Sequence, residues 1–220
     1  LTNSQLGGRR NIAYNGAMQV AQRGTSSTGL GASDGYFTVD RFKMVTGGSA
    51  GRFTQSQVSV SDLSGFTKAL KLECTTTDTS IGASEYLILE QGFEGQDLQQ
   101  LKKGTSDAEK FTISFYVKAN ANATYILEVY DNDNTRHVSQ SFNVTTSWNR
   151  IILTYPGDTT GALDNDNGRS LRIFFWLHSG SAYSSGTLSS TWHNTATNRA
   201  AGVTSFFDST DRTFFLTGLQ

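Results

Sequence analysis

KFTISFYVKA, residues 110–119, reads as a β-strand with one face in a core. Phe111, Ile113, Phe115 and Val117 alternate with Thr112, Ser114, Tyr116 and Lys118. Successive side chains of a strand point to opposite faces, so this period of two separates an apolar face from a polar one. The same character recurs on both sides. GYFTVDRFKMV (35–45), RFTQSQVSV (52–60), KALKLECTT (68–76) and EYLILEQGF (85–93) precede it. TYILEVYD, RHVSQSFNV, NRIILTYP, SLRIFFWLHS and RTFFLTGLQ follow. These runs are rich in aromatic and β-branched residues and are separated by turn clusters: DNDN (131–134), PGDTTG (156–161) and DNDNG (164–168). About ten short strands with this spacing predict an all-β fold, an antiparallel β-sandwich of jelly-roll type.

Composition fits that reading. The chain has 220 residues, 36% hydrophobic and 11% aromatic, so Phe, Tyr and Trp supply much of the core area. Charged residues make up 17%, and the net charge is −1. Lys102-Lys103 and Arg9-Arg10 are the only paired basic residues of one kind, which argues against a nucleic-acid partner. No apolar run is long enough to insert in a membrane. The single cysteine, Cys74, shares a strand face with Leu70 and Leu72 and reads as a small buried hydrophobe.

Three stretches depart from strand character. YNGAMQVAQRGTSSTG (14–29) begins as a short amphipathic turn and ends in a Ser/Thr/Gly slide. It reads either as a connecting arm that lays Met18 and Val20 against a neighbour, or as a cap on the domain's own core. Residues 1–34 are assigned to that arm and 35–220 to the sandwich. EGQDLQQLKKG (94–104) predicts one or two helical turns, with Lys102-Lys103 at the C-terminal end and Gly104 as the stop. Residues 179–202 form the longest stretch without regular structure, a length that marks a mobile or engaged loop.

NIAYNGAMQVAQRGTS, GYFTVDRF, EGQDLQQLKKGTSDAEKFTISFYVKA, YPGDTTGALDNDNGRSLRIFFWL and TFFLTGLQ, in this order, resemble a family of bacteriophage virion proteins. These carry jelly-roll domains like carbohydrate-binding modules, in tail fibres and related host-contact proteins, especially of marine phages. Phe42 and Tyr116 stand where the family usually has Trp, and Gln220 falls just before its usual acidic residue, as in a chain that is cut or becomes disordered shortly after the final strand. The resemblance implies location in the virion, a host cell-surface glycan and other virion proteins as partners, a homotrimer, and no enzymatic activity. The open alternatives are a decoration protein that uses the sandwich only for protein packing, and a polysaccharide depolymerase.

Glu90, Glu94 and Asp97 are close in sequence, as a glycosidase pair requires, but also fit a helix-anchoring role. Asp131, Asp133, Asp164 and Asp166 alternate as calcium ligands do, without the glycine and distal Glu of an EF-hand. The expected cofactor is therefore none, with calcium as the alternative. His137, His178 and His193 lack metal-motif spacing, and no GxSxG elbow occurs. Sugar binding needs aromatic faces with polar side chains around them. In LRIFFWLHS, Ile173, Phe175 and Leu177 read as the core face, which turns Phe174, Trp176 and His178 the other way. The candidate saccharide site comprises Trp176, His178, Tyr183, Trp192, His193, Asn194 and Arg199, with Tyr116 and Tyr130 as further aromatics. Trp148 reads as a core residue at a strand start.

Overall fold

The computed structural model describes residues 11–220. Eleven strands form two antiparallel sheets. They are β1 (Ser26–Leu30), β2 (Lys43–Gly47), β3 (Arg52–Ser59), β4 (Lys68–Thr76), β5 (Tyr86–Glu94), β6 (Phe111–Ala119), β7 (Ala123–Asp131), β8 (Arg136–Val144), β9 (Asn149–Tyr155), β10 (Arg169–Ser179) and β11 (Thr213–Thr217). The first sheet has the order β1-β3-β4-β11-β6-β9, the second β2-β5-β10-β7-β8. The sandwich expected from the sequence is present.

The core lies between the sheets. β6 contributes Ile113, Phe115 and Val117, all buried, while Phe111 is half-buried and stacks on Tyr155. Phe115 meets Phe142 and Phe175 of the second sheet edge-to-face, with centroids 5.2 and 5.1 Å apart. Tyr155 is fully buried, and its hydroxyl donates to Leu127 O at 2.8 Å, so a β9 side chain is tied to β7 of the other sheet. Cys74 is buried among these residues, and burial pushes its thiol pKa up to about 11.

Residues 11–34 pack against the sandwich. Met18 is wholly buried in the core, β1 pairs with β3, and Leu219 N donates to Gly16 O at 3.0 Å. A Cβ on Gly16 would stand 2.0 Å from Leu219 O, so the two ends of the described chain require glycine to pack. Residues 1–10 of the predicted arm, Arg9-Arg10 included, lie outside the described residues.

The segment after β5 forms two 3-10 turns, Gly95–Asp97 and Gln99–Leu101, with Leu98 buried between them. The chain leaves the second turn at Lys102, φ 48°, two residues before the expected stop. Lys103 does not sit at a helix dipole. Its ammonium is buried between Asp131 and Asp158, 2.5 and 3.1 Å away, and donates to Thr160 O and Gly161 O. Arg136 completes the network on Asp158. LKKG, DNDN and PGDTTG thus meet at one end of the sandwich as a charge-balanced cluster. Three of the four aspartates of the DNDN turns accept backbone hydrogen bonds: Asp131 from the amides of Asp133 and Asn134, Asp133 from Asp164 N across the two turns, and Asp166 from Gly168 N.

Trp148 is not a core residue. It lies half-buried on the outside of the first sheet, edge-on to Phe215, and donates Nε1–H to Asp62. Tyr116 is on that same outer face, against Phe66.

Candidate saccharide cleft

Three cross-strand rungs build the outer face of the second sheet. The first runs Val45–Ile88–Trp176–Ile126, the second Lys43–Glu90–Phe174–Glu128, the third Arg172–Tyr130–His137. Strand alternation along β10 puts Phe174 and Trp176 on this face because Ile173, Phe175 and Leu177 fill the core. Segment 179–202 folds back over the face rather than running free. It contains a helical turn, Ser181–Ser184, and a 3-10 turn, Ala196–Asn198. Tyr183 packs edge-on to Tyr86 and against Trp176, and Ala200 N donates to Tyr183 O. A second apolar cluster forms there, separate from the main core.

Between the segment and the strands lies a cleft of about 170 Å³. Its walls are the rings of Tyr86, Tyr130, Phe174, Trp176 and Tyr183, with the guanidinium groups of Arg172 and Arg199 among them. Tyr130 and Phe174 are stacked at 5.7 Å, and Arg172 lies 4.8 Å from each ring centroid. Arg199 lies 4.9 Å from Tyr130 and 5.1 Å from Trp176. Such contacts are worth about 0.5–2 kcal/mol each and fix the planes of the arginines.

Charge is paired beneath the rings. Glu128 is fully buried, yet it accepts two hydrogen bonds from Arg199, at 2.7 and 3.0 Å, and one from Trp176 Nε1 at 2.6 Å. Bidentate pairing of this kind is what makes a buried carboxylate tolerable. Glu90 accepts from Arg169 and lies 3.7 Å from Arg172. Arg172 is half-buried, and its Nε has no protein acceptor; burial draws its pKa below the ordinary arginine value against the pull of Glu90.

The predicted residues divide into three groups. Trp176, Tyr183, Arg199 and Tyr130 converge on the cleft, but Trp176 is 1% exposed and serves as its floor. His178 does not face outward as expected. A β-bulge between Trp176 and His178 shifts the register against β5, and His178 turns inward against Phe207 and Ser205. Trp192, His193 and Asn194 lie beside the cleft and do not line it. Trp192 donates to Pro156 O and covers the Lys103 ammonium at 5.2 Å. His193 pairs through its backbone with His137, ring centroids 4.2 Å apart, and burial lowers the pKa of both imidazoles. Asn194 is exposed.

Sequence reading missed Tyr86, Arg172 and Glu128, and took Glu90 only as a member of a carboxylate cluster. The signal available was a charged residue at an outward position of an otherwise apolar strand, Glu90 in YLILEQ and Glu128 in YILEVY, with arginines on a neighbouring strand. Of the suspected carboxylate cluster, Glu90 joins this site. Asp97 instead accepts from Tyr14 OH, and Glu94 makes no cap. Tyr116 is on the opposite sheet and takes no part.

No family model matches the chain, and no curated protein does. Among solved structures the chain is similar to a CBM4 module at 15% identity, over 81% of this chain and 84% of that one, TM-score 0.43. It is similar to the family 11 carbohydrate-binding module from Clostridium thermocellum in complex with a β-1,3-1,4-mixed-linked tetrasaccharide, at 15% identity over 89% and 94%, TM-score 0.39. It is also similar to the enzymatically active domain of tailspike protein 4 of bacteriophage CBA120, at 11% identity over 96% of this chain, TM-score 0.45, where it spans 21% of that chain. At these scores the likenesses carry no argument about what the chain does.

Proposed function

We propose that the chain is a saccharide-binding domain, with the cleft over β10 and β7 as its site. The observation that carries this reading is the set of aromatic walls holding two guanidinium groups against their rings. Pyranose C–H faces pack on aromatic rings, and ring hydroxyls take hydrogen bonds from fixed planar donors. Binding rather than hydrolysis fits the carboxylates, because Glu128 is occupied by Arg199 and Trp176 and Glu90 by Arg169.

The five sequence motifs support a finer placement: a host-contact appendage of a phage particle, homotrimeric, bound to a host-surface glycan and to other virion chains. Single sites of this size bind weakly, and several copies on one particle raise avidity by orders of magnitude without new contacts.

The test is retention on a panel of bacterial surface polysaccharides by affinity electrophoresis, followed by calorimetry on any that bind. Tyr130→Ala and Arg172→Ala should each weaken binding about tenfold or more, equivalent to about 1.4 kcal/mol, with folded spectra unchanged. Trp192→Ala, outside the cleft, should bind as the parent does. If no saccharide is retained, or if both cleft variants bind like the parent, the face is a protein-packing surface and the decoration role takes its place.

A further inference from the structure

At the far end of β10, outside the cleft, three side chains converge that the saccharide reading does not use. Asp78 and Glu85 come from the connection between β4 and β5, and His178 from the bulge in β10. Their potential ligand atoms all lie within 4.8 Å of one another. We propose that Asp78, Glu85 and His178 bind a divalent transition-metal ion of the zinc type.

His178 is wholly buried, and its Nε2 has no hydrogen-bond partner. The other ring nitrogen, Nδ1, is 2.8 Å from Ser205 Oγ. A metal-binding histidine has this arrangement: one nitrogen held by a neighbour, the other presented to the ion. Nε2 faces Glu85 Oε2 at 3.5 Å, and that oxygen is likewise buried without a donor. Bonds of about 2.0–2.2 Å at a tetrahedral centre place two ligand atoms about 3.4 Å apart, so this edge already has the required length.

Asp78 is oriented for the same task. Ser49 Oγ and Ala50 N donate to its Oδ2, each at 2.7 Å, and Ser80 N to Oδ1 at 3.3 Å. Among the described residues no lysine or arginine lies within salt-bridge distance of Asp78 or Glu85, so two largely buried carboxylates face each other with no cationic side chain. A divalent ion offsets that charge. The Glu85 side chain is 16% exposed, which leaves a path of entry.

The ligand set selects the metal class. Calcium and magnesium take six or more oxygens, whereas one imidazole with two carboxylates suits zinc and its neighbours. Three protein ligands leave a fourth position for water. A bound ion ties the β4–β5 connection to β10.

The experiment starts from full-length protein dialysed against EDTA. Zn2+ titrated in a calorimeter should bind at one ion per chain. Co2+ should give the visible absorption of a four-coordinate site, and Zn2+ should raise the melting midpoint. His178→Asn and Glu85→Gln should lose the cobalt spectrum and the thermal shift, while His193→Asn retains both. If either ligand variant does not fold, the stoichiometry and cobalt spectrum of the parent still decide. Substoichiometric binding by the parent, preference for Ca2+ over Zn2+, or an unchanged cobalt spectrum in folded His178→Asn each overturns the site and leaves a buried histidine–glutamate pair.

Discussion

Lys103 Nζ lies 2.5 Å from Asp131 Oδ2 and 3.1 Å from Asp158 Oδ2, in a side chain 4% exposed. Removing one partner of a buried ion pair strands the others, at a cost of about 3–5 kcal/mol. Lys103→Met should lose about that much in a urea titration, whereas Lys102→Met, whose side chain is half exposed, should change little. The same cluster sets an acid limit. Burial alone would raise the Asp158 pKa, but the Arg136 hydrogen bonds, the Thr160 amide and Lys103 together hold it below the ordinary 3.8. A carboxylate depressed in the fold stabilises above its unfolded pKa. That contribution should be complete above about pH 4 and lost as pH falls through the folded value. Asp158→Asn, measured between pH 5 and 2, should show a shallower loss than the parent.

At the scale of elements, β6 and β10 divide the work between core and surface. Phe115 touches rings from two strands of the opposite sheet. Phe115→Ala should therefore destabilise by about 3–5 kcal/mol, and Thr112→Ala on the outward face by under about 1 kcal/mol, by thermal or chemical unfolding. Segment 179–202, which the sequence marks as mobile or engaged by a neighbour, is fastened within the chain by the Arg199–Glu128 pair, by Ala182 N to Ala83 O and by the mutual backbone bonds of His137 and His193. Arg199→Met should leave Glu128 short of its bidentate partner and release the segment. Hydrogen exchange should then rise across 181–200 far more than in β6. Equal protection in parent and variant would show that the apolar contacts of Tyr183 and Ala200 hold the segment alone.

For the whole molecule, the buried imidazoles give a second pH dependence. His137 and His193 titrate below the ordinary 6.5, first because burial penalises the charged ring, although Glu128 pulls the other way. The unfolded chain then binds protons more readily, so stability is undiminished above about pH 6.5 and falls as pH drops through that value. The urea midpoint should decline from pH 7.5 to 5, and His193→Gln should flatten the decline.

The strand pattern needed only local information. Alternation in residues 110–119 and 171–178 gave the strands, their core faces and the outward turn of Phe174 and Trp176, because a strand's period of two is written into every other residue. Turn clusters gave the boundaries, since Asp, Asn and Gly satisfy their own backbone locally. Pairing across the sheets was not written locally. The bulge that turns His178 inward depends on which strand lies beside β10, and the burial of Lys103 depends on three separated segments meeting at one end. Glu90, Glu128 and Arg172 come together only because β5, β10 and β7 are neighbours in one sheet. The opening segment, amphipathic on paper, puts Met18 into the core and bonds Gly16 to Leu219, about two hundred residues away in sequence. Periodicity reports which face a residue takes; only packing decides what that face meets, because contact free energy depends on partners distant along the chain.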